Sequence, residues 1–148
     1  MYAPLAFRSS MTAMLALLPL VLAGCSGGGM DDNRAGLACV DDSKDCVDKR
    51  QATLNHMLAD KEKSWVKEPA TPQAHASGVR LFAYRTQKKD LNCDELAAGR
   101  READGAARAL KGPDAKGLSQ AQVSRAMMFA AEVSKELTAE MRNRRCKA

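Results

Sequence analysis

Two segments of the chain each spell a complete helix start, and together they constrain the fold more than any other feature. In Leu91-Asn92-Cys93-Asp94-Glu95-Leu96, Asn92 can cap, Glu95 sits three residues on to close a capping box, and Leu91 can staple to Leu96. In Leu118-Ser119-Gln120-Ala121-Gln122-Val123, Ser119 caps, Gln122 completes the box and Leu118 faces Val123. The first helix is expected over 93–110, with Leu96, Ala103, Ala107 and Leu110 on one face and Gly112-Pro113 as its stop. The second is expected over 120–145, burying Val123, Met127, Ala130, Val133, Leu137 and Met141. Two helices joined by a short loop pack antiparallel. The longer second helix requires that the connection fold back along it.

The N-terminal end carries an address. The first ten residues hold one basic side chain, Arg8, and no acid; an apolar run from Met11 to Ala23 follows, broken by Thr12 and Pro19. That run is shorter than the ~20 residues a membrane span needs. It fits a secretory signal instead. The run ends in Leu22-Ala23-Gly24-Cys25, which resembles the lipobox of bacterial lipoproteins. The resemblance implies cleavage after residue 24 and a diacylglyceryl group on the Cys25 thiol. Two or three acyl chains, at ~0.8 kcal/mol per buried CH₂, anchor stably where one does not. Ser26-Gly27-Gly28-Gly29 then reads as a flexible linker, with residues 25–45 as a lipid-anchored tether. Among Gram-negative lipoproteins, Ser26 after the cysteine implies the outer membrane in preference to the inner, facing the periplasm. The hairpin with a cysteine at each end also resembles small helical lipoproteins of Gram-negative bacteria, a likeness that lends no activity.

Removing residues 1–24 leaves 124, with a formal charge of +4. Those residues include nine Leu, six Val, two Phe and no Ile, against 21 Ala. So few large apolar side chains suggest slender, closely packed helices that need covalent support. Four cysteines remain once Cys25 is set aside: Cys39, Cys46, Cys93 and Cys146. An even number in an exported chain implies disulfides. Three pairings are possible. The antiparallel hairpin places Cys93 beside Cys146, and by elimination Cys39 pairs with Cys46. Asp94 and Glu95 at one helix start, and Arg142, Arg144 and Arg145 at the other helix end, agree with that neighbourhood. No spacing is C-x-x-C, so neither a redox motif nor a zinc ribbon is indicated, and no metal or cofactor is expected.

Elsewhere the pattern is weaker. A helix is expected over 46–66, with Val47, Leu54, Met57, Leu58 and Trp65 on one face and His56 exposed opposite. Pro69 and Pro72 then mark a linker. The segment 72–88 leans helical, since a lone strand would have nothing to pair with. It carries a basic-aromatic patch of Arg80, Phe82, Tyr84, Arg85, Lys88 and Lys89. That patch and the basic end at Arg142, Arg144 and Arg145 are the candidate partner surface. An exported protein meets anionic lipid, glycan or envelope protein, not nucleic acid.

The expected architecture is all-α: a disulfide-braced bundle of three or four helices over 46–148, behind the signal and tether. No catalytic motif is present. The chain has two histidines and lacks G-x-S-x-G and H-E-x-x-H. The expected function is therefore a non-enzymatic interaction or structural module of the envelope. A small envelope enzyme and a small-ligand or metal binder are the alternatives.

Overall fold

The computed structural model describes residues 34–147. The signal, the lipobox with Cys25 and the Ser26–Gly29 linker lie outside the described residues. Among the described residues the fold is all-helical: α1 (Ala35–Ala38), α2 (Lys44–Ala59), a 3-10 turn (Ser64–Lys67), α3 (Pro72–Ser77), α4 (Val79–Gln87), α5 (Cys93–Lys111) and α6 (Gln120–Asn143). No strand occurs among them.

Both helix starts form as the sequence implies. Asn92 Oδ1 accepts from the Glu95 amide at 2.9 Å, and Glu95 returns a bond from the Asn92 amide at 2.7 Å. Ser119 and Gln122 make the same reciprocal pair at 3.2 and 2.8 Å. Leu91 and Leu96 are fully buried. Along α5 the buried line is Leu96, Gly99, Ala103, Ala106 and Leu110, and along α6 it is Ala126, Ala130, Val133, Leu137 and Met141. Ala106 thus replaces Ala107 at the seam, and Val123 and Met127 are only partly buried. Small residues let the two axes approach, and fully burying each large one contributes about 1.5–3 kcal/mol. The hairpin brings Cys93 and Cys146 to disulfide distance, with Cα atoms 5.5 Å apart.

The remaining helices pack on this hairpin in two further layers. The α3–α4 pair contacts the hairpin on one side and α1–α2 on the other. Gly78 separates α3 from α4: it takes a left-handed φ of 73°, where a side chain is strained, so the expected 72–88 helix is two short ones. Thr71 caps α3 and Pro72 occupies its first turn.

The N-terminal part departs from expectation in three ways. Residues 34–45, expected as tether, are folded. Gly36 is buried against α2, its amide donating to Thr53 Oγ1 at 3.0 Å, and Ser43 caps α2. A Cβ at Gly36 would lie 2.5 Å from the Lys49 carbonyl oxygen, so only glycine permits this approach. Cys39 and Cys46 lie at disulfide distance, their Cα atoms 5.2 Å apart. Second, α2 stops at Ala59, not near residue 66. The Asp60 carboxylate accepts from the Glu62 and Ser64 amides, turning the chain into the 3-10 segment. Third, Val47 is exposed. The buried side chains of α2 are Cys46, Thr53 and Met57. His56 is exposed, as expected.

Candidate functional site: partner surfaces and a buried polar cluster

The expected basic-aromatic patch on α4 is divided between the interior and the surface. Alternating character along a sequence does not keep a patch together on a helix, where residues one and two apart point apart. Arg80 and Tyr84 are four apart and both face inward, at 1% and 0% exposure. Neither can belong to a partner surface, which corrects the expectation for these two residues. Phe82 faces outward at 45% exposure. Arg85 bonds Glu132 and Glu136 on α6 at 2.9 and 2.8 Å, and Lys88 bonds Glu136 at 2.6 Å. The hydrogen bond from Lys88, with the charges of Lys88 and Arg85, holds the Glu136 carboxyl below its ordinary value. These two cations fasten α4 to α6 and are largely neutralised there.

Arg80 is the centre of a buried cluster. Its Nε and Nη2 donate to the two carboxylate oxygens of Glu102 on α5, at 2.8 and 2.5 Å. Nη1 donates to the Trp65 carbonyl at 2.7 Å, and Nη2 also donates to the Glu68 carbonyl at 2.9 Å. One guanidinium therefore joins α4, the 3-10 turn and the hairpin. Its bidentate geometry is what arginine does and lysine cannot. The Tyr84 ring lies against Trp65, with centroids 4.7 Å apart, and covers Gly99, where a Cβ would lie 2.5 Å from the ring. His75 on α3 completes the cluster at 4% exposure. Burial pushes its imidazole below the ordinary value, so the ring is neutral at neutral pH. Burial, reinforced by the Glu102 charge, pushes the Tyr84 phenol up. The sequence pattern gave no sign of this cluster, because a buried arginine and a surface arginine look alike before the partner is known.

The other half of the expected surface gathers at one end of the molecule. Arg144 Nη1 donates to the Leu91 carbonyl, which fixes the end of α6 over the start of α5. Arg142, Arg144 and Arg145 are exposed there, as is Lys89 just before Leu91. The C-terminal end of α4 and the basic end of α6 are thus brought together, while the N-terminal end of α4 is not. A separate apolar groove of about 370 Å³ opens between α2, α4 and α6. Val47, Leu54, Val79, Phe82 and Phe129 line it, with Arg50 and Arg125 at its rim. Both arginines reach Asp42, at 3.6 and 3.3 Å.

Among the described residues, no group of three or more His, Cys, Asp or Glu side chains could hold a metal ion. No described helix is long and apolar enough to cross a membrane. Compared with known proteins, the chain matches no family model, no curated protein and no solved structure.

Proposed function

We propose that this chain is a lipid-anchored envelope protein that acts as a non-enzymatic interaction module close to a membrane surface. The observation that carries the reading is the short distance in sequence between anchor and domain. The lipobox cysteine is residue 25 and the folded domain is under way by Arg34, leaving eight residues between them. At no more than ~3.6 Å each, they hold the domain within about 30 Å of the lipid. A leash of that reach suits a domain that works against the membrane or on a partner beside it.

The contact surface in this reading is the basic end, Lys89 with Arg142, Arg144 and Arg145, facing anionic lipid, glycan or an acidic face of an envelope protein. The described residues support that choice of charge: they hold 22 Lys and Arg against 16 Asp and Glu. Export to the periplasm, outer membrane in preference to inner, belongs to the same proposal and rests on the signal and Ser26. Labelled palmitate tests the anchor. Wild type is expected to take up label and to sediment with membranes, and Cys25→Ala to do neither. Equal labelling of both would end the proposal. Charge reversal at Arg142 and Arg145 then tests the surface, by release of a crosslinked envelope partner or of binding to anionic vesicles.

A further inference from the structure

Residues 34–43 form a short strap where the chain enters the domain, and a cysteine pair pins its end to α2. The strap has little of its own to keep it in place. Its helix, α1, is four residues long, too short to stand as an isolated helix. Leu37 alone of the strap packs against the apolar core, and it is only partly buried. The other ties are single polar bonds. The Gly36 amide donates to Thr53 Oγ1 at 3.0 Å, and Gln122 Nε2 on α6 donates to the Val40 carbonyl at 2.8 Å. Arg50 Nη1 donates to the Asp41 and Cys39 carbonyls at 2.6 and 3.3 Å. Arg34 pairs with Glu68, and Asp42 with Arg50 and Arg125, all at exposed positions where such pairs are worth little.

The cysteine pair is arranged to open at one sulfur. Cys39 is partly exposed and Cys46 is buried at 2% exposure, so an attacking thiolate meets Cys39. Cys46 stands in the first turn of α2, where the Ser43 cap accepts from its amide, and Arg50 Nη1 lies 4.0 Å from its sulfur. A helix N-terminus and a guanidinium both favour a thiolate there. The neighbouring acids are engaged: Asp45 with Lys49 at 2.6 Å, and Asp42 with Arg50 and Arg125. Cys93 also stands in a first turn, but Asp94 and Glu95 follow it, and Arg144 at that end bonds the Leu91 carbonyl. We propose that the Cys39–Cys46 pair is a redox clasp: a dithiol reductant opens it, and opening lets the strap join the leash. One thiolate of the dithiol attacks Cys39 Sγ, and the S–S electron pair leaves on Cys46 Sγ as a thiolate. The second thiolate of the dithiol then displaces Cys39 and closes the reductant's own disulfide. Two electrons and two protons pass to the pair. The leash then runs over 26–43 instead of 26–33, and its greatest reach grows from ~30 Å to ~65 Å. That consequence rests on the lipid at Cys25; the clasp does not.

The test treats the purified full chain with graded dithiothreitol, traps free thiols with iodoacetamide and maps them by peptide. Cys39 and Cys46 thiols are expected at dithiothreitol concentrations about tenfold or more below those that free Cys93 and Cys146. Arg50→Lys and Arg50→Gln both lose the guanidinium fork on the strap, but only the lysine keeps a cation near the sulfur. The glutamine variant should therefore open about threefold more slowly than the lysine variant. Native-state hydrogen exchange on Cys39→Ser/Cys46→Ser reads the strap itself. The Gly36 and Cys39 amides should exchange within about tenfold of free-peptide rates, while amides at the centres of α5 and α6 stay protected. Opening of Cys93–Cys146 first or together with the clasp, or strap amides as protected in the variant as in wild type, would overturn the inference. Neither readout involves the lipid, so failure here leaves the anchor standing, and an unlabelled Cys25 leaves the clasp standing.

Discussion

Leu96, Leu110, Val133 and Leu137 close the α5–α6 hairpin through apolar side chains on regular helical spacing, and a cysteine pair ties its open end. The α1–α4 layers add Met57, Trp65, Val79, Leu81 and Tyr84 to the same core. Unlike the hairpin seam, they are also tied by charge, through Arg80 and Glu102 and through Arg85 and Lys88 on Glu136, and by the close fit of the Tyr84 ring on Gly99. Within those layers, Gly36 of α1 lets its backbone touch that of α2. The same chain thus closes the hairpin largely by apolar burial and fastens the outer layers by apolar burial together with a buried ion pair and close-fitting glycines. Apolar burial tolerates repacking. A buried ion pair does not tolerate loss of one partner, because the other is left charged in a dry place.

That difference gives the order of expected effects. Arg80→Ala leaves Glu102 buried and unpaired, and leaves the Trp65 and Glu68 carbonyls without their donor; a loss of about 3–5 kcal/mol is expected in urea unfolding. The double variant Arg80→Met/Glu102→Leu should recover most of that loss, and a double variant as unstable as the single one would break the comparison. In the hairpin, Cys93→Ser/Cys146→Ser opens a long loop and should cost about 4 kcal/mol on the chain-entropy model. Cys39→Ser/Cys46→Ser opens a short one and should cost about 2.5 kcal/mol. Peptide mapping without reductant checks the pairing directly, and a crosslink from Cys46 to Cys93 or Cys146 would contradict it.

Glycines sharpen the contrast further. Gly36→Ala should cost about 1–3 kcal/mol, since the new methyl meets backbone on α2. Gly105→Ala, inside α5 with open space at its Cβ, should instead stabilise by about 0.5–1 kcal/mol. Thermal unfolding of the two variants should shift in opposite directions. The smallest effect is that of His75 on acid stability. Its folded value lies below the ordinary 6.5, so its contribution is complete above that pH. As pH falls below 6.5 the unfolded chain takes up the proton first, and stability declines. His75→Gln should flatten that part of the stability profile, and an unchanged slope would remove His75 from the account.

The hairpin was legible because its signals are local. A cap, a box and a staple occupy six consecutive residues, and the spacing of leucines and alanines names the face. The two cysteine pairs followed from that geometry. The α1–α4 layers were less legible because their determinants are distant in sequence. Arg80 reads as a surface cation until Glu102 is known to lie opposite, 22 residues away. Gly36 reads as tether until Thr53 and the Lys49 carbonyl are placed beside it. Asp60 ends α2 through bonds to residues after it, while the apolar spacing that runs on to Trp65 suggests a longer helix. The candidate surface was half legible for the same reason. Composition showed the charges, but which of them point outward is a property of packing.

Native-state hydrogen exchange on Arg80→Met tests most directly that the outer layers need the polar hub in addition to their apolar packing while the hairpin does not. Amides of α3, α4 and the Ser64–Lys67 turn should lose protection by at least about tenfold more than those at the centre of α5 and α6. Equal loss in both regions, or a greater loss in the hairpin, would contradict the account.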